Sequence, residues 1–219
     1  RGKVSSIVHY HDSFFVGFLM DGILLLEKQK NTSHYRIQPL PVNRGVFCLK
    51  KDRFQDVVWI GTDGQGVYLY SNPLYSIKSM VLSNYTEKIE RPVRALLQDD
   101  ERTFWVGTKG NGILKIYDYE VDKNLSDCRA EVLTTSNSAL GSNAVYCFAR
   151  SHRNLLWIGE EEGLTYYSYR EKRIKRLPVR IGNEEFKYIH DIYETADSEL
   201  WLASVGMGVV RARIAGTPD

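Results

Sequence analysis

Cysteine is scarce in this sequence of 219 residues: it has three copies, Cys48, Cys128 and Cys147, none at the short spacing of a metal-binding pair. A dominant charge of either sign is lacking too, with 29 basic residues against 27 acidic ones and a formal net charge of +2. That balance leaves no electrostatic footprint for nucleic acid, which is not expected as a partner. No apolar run approaches the ~20 residues of a membrane-spanning helix, and no segment shows helical periodicity. The histidines, His9, His11, His34, His152 and His190, show no ligand spacing among themselves or with the cysteines. Neither a G-x-S-x-G turn nor a paired-carboxylate phrase is present. Catalysis, a bound metal and a cofactor are therefore not expected of this chain. No secretion signal is visible, and in a sequence opening on Arg1 that says nothing about secretion.

What the sequence does contain is one phrase in five copies. VWIGTDGQGVYLY, FWVGTKGNGILKIY, LWIGEEEGLTYYSY and LWLASVGMGVVRARI hold all of its tryptophans, Trp59, Trp105, Trp157 and Trp201. FFVGFLMDGILLL puts Phe15 in the same place. Trp59 follows Phe15 by 44 residues, Trp105 follows Trp59 by 46, Trp157 follows Trp105 by 52 and Trp201 follows Trp157 by 44. A period of about 40 to 50 residues with this internal pattern marks an array of small β-units, such as propeller blades.

One repeat shows the plan. PVRALLQ is an inner strand, DDERT a polar turn, FWVGT a second strand, KGNG a glycine turn and ILKIYDY a third strand. Runs rich in β-branched and aromatic residues and punctuated by glycine turns argue an antiparallel meander. YRIQPL, SIKSMVLS, RAEVLTT and KRIKRLP are expected as fourth, outer strands, and the last repeat has no such segment. The expected fold class is therefore all-β, a β-propeller of about five four-stranded antiparallel blades. The last blade is expected to be incomplete, and the repeat leaves open whether five blades close on themselves or remain an open arc. The repeats run approximately over 1–42, 43–90, 91–141, 142–186 and 187–219. Gly17, Gly61, Gly107 and Gly159 stand two residues after the aromatic and on its face, leaving room for a neighbour. Cys48 and Cys147 share one repeat position with Ser6, Ala95 and Asp191, which reads as a tight packing site. The tryptophans read as packing residues rather than as a sugar-stacking platform.

A V-x-x-I/L strand, a polar turn with Asp or Asn, and then L-W-I-G-T-x-x-G-G-L resembles the two-component regulator propeller repeat. VVWIGTDGQGVYLY and TFWVGTKGNGILKI match it closely, while Phe15, Glu160 and Ala203 mark the weaker copies. The resemblance runs through all five copies and so covers essentially the whole chain. It implies the periplasmic sensor portion of a hybrid two-component histidine kinase, responding to a glycan or oligosaccharide and signalling across the membrane. By the same resemblance the chain is expected to be a fragment, an open arc that forms part of a larger propeller. Its expected partners are other blades and domains of the parent chain and a second copy, with the membrane reached only through the parent.

Strand alternation puts the segment entering each inner strand and the glycine turn between strands two and three at one end of the blade. That end is the natural ligand face. From it Arg44, Asp63, Arg91, Lys109, Asn143 and Tyr188 are expected to bind ligand, together with Asp191, an acidic residue at an otherwise small position. Guanidinium, amide and carboxylate groups suit a hydroxyl-rich or anionic ligand. REKRIKR, residues 170–176, reads first as a charged outer edge that discourages strand pairing and second as an anion-binding patch. The alternative function is an interaction or dimerisation scaffold without a small-molecule site. A carbohydrate-active enzyme is the least expected.

Overall fold

The computed structural model describes residues 2–30, 32–71, 76–80, 91–119, 128–197 and 199–214. Most of the polar stretch 117–129, a long connection within the 52-residue step from Trp105 to Trp157, lies outside them. Among the described residues there is no helix. The strands form successive meanders. β1 (Val4–Tyr10), β2 (Ser13–Phe18), β3 (Gly22–Lys28) and β4 (Tyr35–Pro39) make the first sheet. β5 (Val46–Lys51), β6 (Val57–Thr62), β7 (Val67–Ser71) and β8 (Ser76–Met80) make the second. β9 (Val93–Gln98), β10 (Phe104–Thr108), β11 (Ile113–Ile116) and β12 (Ala130–Leu133) make the third. β13 (Val145–Arg150), β14 (Leu155–Glu160), β15 (Gly163–Ser168) and β16 (Arg173–Arg176) make the fourth. A two-residue hairpin, β17 (Arg180–Ile181) with β18 (Glu184–Glu185), leads to a three-stranded sheet of β19 (Ile189–Glu194), β20 (Glu199–Ser204) and β21 (Gly208–Arg213). The outer strands fall where the sequence places them, and the small hairpin is an addition to it.

The chain forms two compact units, Arg1–Phe104 with Ile116–Arg129, and Trp105–Lys115 with Ala130–Asp219. In the first, Tyr10, Phe15, Leu25, Val46, Ile60 and Tyr70 belong to one apolar cluster. Three second strands, β6, β10 and β14, lose the usual in–out alternation and are buried at every residue. A strand covered on both faces needs apolar residues on both, which is why these phrases read as nearly continuous hydrophobic runs. Trp59 stacks on Phe104 with ring centroids 3.7 Å apart and meets Tyr119 edge-on at 4.9 Å. Its indole N–H donates to Asp52 Oδ2 at 2.8 Å. Asp52 Oδ1 meanwhile accepts from the backbone N–H groups of Phe54 and Gln55, so the turn aspartate joins the turn to the core.

In the second unit Trp157, Tyr166, Phe186, Ile189 and Leu202 share a core, and the Trp157 indole N–H donates to Glu194 Oε2 at 2.9 Å. Tyr166 packs on Trp157 (5.7 Å), whereas Tyr167 faces the other way onto Trp105 (4.9 Å), as strand alternation requires. Three tryptophans are fully buried, but Trp201 is 42% exposed, so the packing role assigned to all four is realised at three.

The post-aromatic glycines are occupied by neighbouring inner strands. A Cβ on Gly61 would overlap Cys48 Sγ and lie 2.8 Å from Val93 Cγ1, and one on Gly159 would overlap Cys147 Sγ and lie 2.7 Å from the Ile189 carbonyl oxygen. Cys48 pairs across the ladder with Gly61, Cys147 with Gly159, Ser6 with Gly17 and Asp191 with Ala203, which confirms the repeat alignment of that position. Burial pushes the Cys48 thiol up to about 12 and the Cys147 thiol up as well, as expected of packing cysteines rather than reactive ones.

Candidate functional site

The candidate face is built from backbone. The N–H of Leu19, in the first glycine turn, donates to the Lys3 carbonyl, and that of Asp63 donates to Gly45 at 2.9 Å. In the second unit Gly110 and Gly112 both donate to the Asn143 carbonyl (2.9 Å each). Glu161 donates to Ala144, and Tyr188 donates to Glu161. Entering segments and glycine turns thus lie at one end of the blades and are bonded to each other. This arrangement follows from placing both kinds of connection after an even number of strand crossings.

On that frame Arg44 and Asp63 are exposed in the first unit, held by the Asp63–Gly45 bond, and Arg91 is exposed in the same unit. In the second unit Lys109 is exposed and forms an isolated bridge with Ala144. The neighbouring Asn143 is half-buried, and its side-chain oxygen accepts from the Thr135 N–H at 2.8 Å. Tyr188 is 43% exposed and sits at a positive φ of 54° between Glu161 and Val205, to which its N–H and C=O are bonded. Asp191 is exposed, and its carboxylate accepts from the N–H of the next residue, Ile192, at 2.9 Å. Lys109, Asn143 and Tyr188 therefore lie on one continuous strap of backbone bonds. Asp191 lies further along β19.

Glu160, one of the departures from the repeat, has turned inward. Thr62 and Thr108, at its place in other copies, donate to their own glycine turns. Glu160 instead accepts from the N–H groups of Gly141 (3.0 Å) and Ser142. Burial raises its pKa above the ordinary 4.5, partly offset by these N–H bonds, Thr165 and Arg176. A carboxyl whose folded pKa is raised contributes stability fully present below its unfolded value and lost as pH rises through the folded one. Thermal melts of wild type and Glu160→Gln across pH 4 to 8 should therefore show the wild type losing stability relative to the variant as pH rises above about 4.5. A pH-independent difference would contradict this account.

Two features were not foreseen from sequence. The inner strands carry a register irregularity between Val46 and Cys48, Val145 and Cys147, and Ile189 and Asp191. The extra residues, Phe47, Tyr146 and His190, make ring contacts: the Arg94 guanidinium lies 3.7 Å over Phe47, and Tyr146 stacks on His190 at 4.2 Å. A bulge depends on pairing geometry and leaves no mark in composition. The second feature, a buried lysine at position 115, had a legible signal. Leu25, Leu69 and Arg211 each stand across from their aromatic, ten residues on, and Lys115 stands ten residues after Trp105.

No protein-family model matches the chain, and no curated protein does. Solved structures do match. The chain is similar to the extracellular domain of a candidate hybrid two-component system from B. thetaiotaomicron, with 23% identity and a TM-score of 0.75, over 100% of this chain and 28% of that one. It is similar to virginiamycin B lyase from Staphylococcus aureus, with 14% identity and a TM-score of 0.67, over 97% of this chain and 70% of that one. The β-propeller domain of Cps50 (Swd1) from Myceliophteria thermophila follows, with 14% identity and a TM-score of 0.59, over 93% of this chain and 62% of that one. The fold is a β-propeller, built from the four-stranded antiparallel blades expected and one three-stranded blade. The chain spans little more than a quarter of the B. thetaiotaomicron domain.

Proposed function

We propose that this chain is a non-enzymatic, ligand-sensing part of the extracellular or periplasmic region of a hybrid two-component sensor histidine kinase. It responds to a glycan or oligosaccharide and passes the signal across the membrane through its parent chain. The observation that carries the reading is the likeness over the full chain to the extracellular domain of a candidate hybrid two-component system. The fold is shared with a lyase, so the two-component neighbour and the repeat phrase support a sensor, whereas the propeller as such does not. Arg44, Asp63, Arg91, Lys109, Asn143, Tyr188 and Asp191 are proposed to contribute to the ligand face. Ligand binding would alter the parent's activity through differential affinity for two packing arrangements.

A scaffold role has its own support. Tyr193, Trp201 and Val209 expose large apolar side chains on the three-stranded sheet, a surface suited to other blades, to other domains of the parent or to a second copy. Calorimetric titration of oligosaccharides into the intact parent ectodomain separates the two. Saturable binding lost in Lys109→Ala or Tyr188→Ala supports the sensor. Absence of any binder, with self-association that Trp201→Ala abolishes, supports the scaffold.

A further inference from the structure

A groove of about 570 Å³ opens in the second unit, between β12 and the outer strand β16. Its lining includes Lys115, Glu131, Tyr167, Lys172, Arg173 and Lys175, with Leu133 and Ile174 supplying apolar wall. Cations outnumber carboxylates there even though Glu171 pairs with Arg173 and Lys175, and Glu131 approaches Lys115 at 3.6 Å. Among the described residues no carboxylate pairs with Lys172, which is exposed at the hairpin tip with φ of 52°.

Lys115 is the unusual member. Its side chain is 5% exposed, and its ammonium lies 4.6 Å from the Trp105 ring centroid, 4.5 Å from that of Tyr167 and 3.4 Å from the Tyr167 hydroxyl. The same repeat position holds Leu25 and Leu69, which solve the packing without a charge, and Arg211, whose charge stays exposed. Taking an ammonium out of water is costly unless something compensates it, and the two rings, the Tyr167 hydroxyl and the half-exposed Glu131 carboxylate are among the groups that do so. A charge buried at a position where the other copies bury only apolar side chains marks a site rather than a core.

We propose that this groove binds a small organic anion whose carboxylate meets Lys115 and Lys172 and whose apolar face lies on Tyr167, Leu133 and Ile174. A hexuronate unit of an acidic oligosaccharide has that chemistry, and the volume falls within the usual range of ligand pockets, about 300–1,000 Å³. The site is on the flank of the blades, apart from the loop face, and its binding does not depend on the sensor reading.

The test is calorimetric titration of the purified chain at low salt with trigalacturonate, galactotriose and inorganic sulfate. Trigalacturonate should bind with a Kd of about 1 mM or tighter. Lys172→Glu should weaken it about 3- to 10-fold, and added salt should weaken it further. Lys115→Met, checked for folding by its thermal melt, should abolish it, and Lys172→Glu decides alone if that variant does not fold. The proposal is overturned if trigalacturonate gives no saturable heat, if galactotriose binds equally well, if inorganic sulfate binds as tightly, or if Lys172→Glu changes nothing.

Discussion

Trp157→Ala should destabilise the second unit by about 3–5 kcal/mol, whereas Trp201→Ala, at the same place in its repeat, should cost less than about 1 kcal/mol. The two residues are equivalent in sequence and opposite in burial, 0% against 42% exposed. Alanine at 157 removes an indole packed on Tyr166 and within the Leu164, Ile189 and Leu202 cluster. It also removes the N–H donor to Glu194 Oε2, leaving a buried carboxylate whose other oxygen has no hydrogen-bond partner and only Arg153 Nε 4.0 Å away. A buried acceptor deprived of its donor adds its own desolvation penalty to the cavity term. Among the described residues Trp201 pairs with Tyr193 across the ladder and lies under the Arg211 guanidinium, 6.0 Å from its ring, without joining the buried cluster. Urea unfolding read on the second unit checks both: the midpoint should fall sharply for one variant and barely move for the other at constant slope. Equal losses would mean that Trp201 is as enclosed in solution as Trp157. Trp157→Phe should fall between, restoring ring area but not the N–H.

The contrast between those tryptophans also shows what a repeat sequence can and cannot tell. Strand order, outer strands, turn glycines, the tight packing site of Cys48 and Cys147 and the room left beside the post-aromatic glycines were all legible, because each is imposed by local φ, by alternation and by the missing Cβ at Gly61 or Gly159. That the cysteines face those glycines was not. Burial of Trp201 was not, because it depends on what lies beyond the blade rather than on the phrase itself. Glu160 reads in sequence as one more polar loop residue of a glutamate run. Its inward turn to Gly141 and Ser142 depends on a tertiary partner 18 and 19 residues earlier. The bulged Phe47, Tyr146 and His190 were hidden because a one-residue irregularity changes direction without changing composition. Lys115 was hidden in a different way. ILKIY reads as a strand with one polar position, and only alignment on Trp105 shows that the lysine takes a place filled by leucine in the first two copies and by an exposed arginine in the last.

Gly45→Ala should destabilise the first unit by about 2–3 kcal/mol, while Gly64→Ala, in the turn it adjoins, should cost about 1 kcal/mol. The reasons differ in kind. Gly45 has no positive φ, so alanine suits its backbone, but the added Cβ would overlap the carbonyl oxygen of Leu19 and lie 2.9 Å from its carbon. Both atoms are backbone, held by the Leu19 N–H bond to Lys3, so no side chain can swing away to relieve the clash. Gly64 is the reverse case: its φ is +78°, and nothing lies within 4 Å of where a Cβ would go. The penalty there is conformational and local. Gly45 also accepts the Asp63 N–H, and its Cβ would stand 3.6 Å from that of Asp63, so relieving the clash must move the segment that carries Arg44 and Asp63. Thermal melts give the two stability losses. Titration of any ligand of the loop face then separates their functional consequences, since Gly45→Ala should weaken binding through displaced Arg44 and Asp63 and Gly64→Ala should largely spare it. Equal stability losses would mean that Leu19 gives way more easily than its backbone bonds allow.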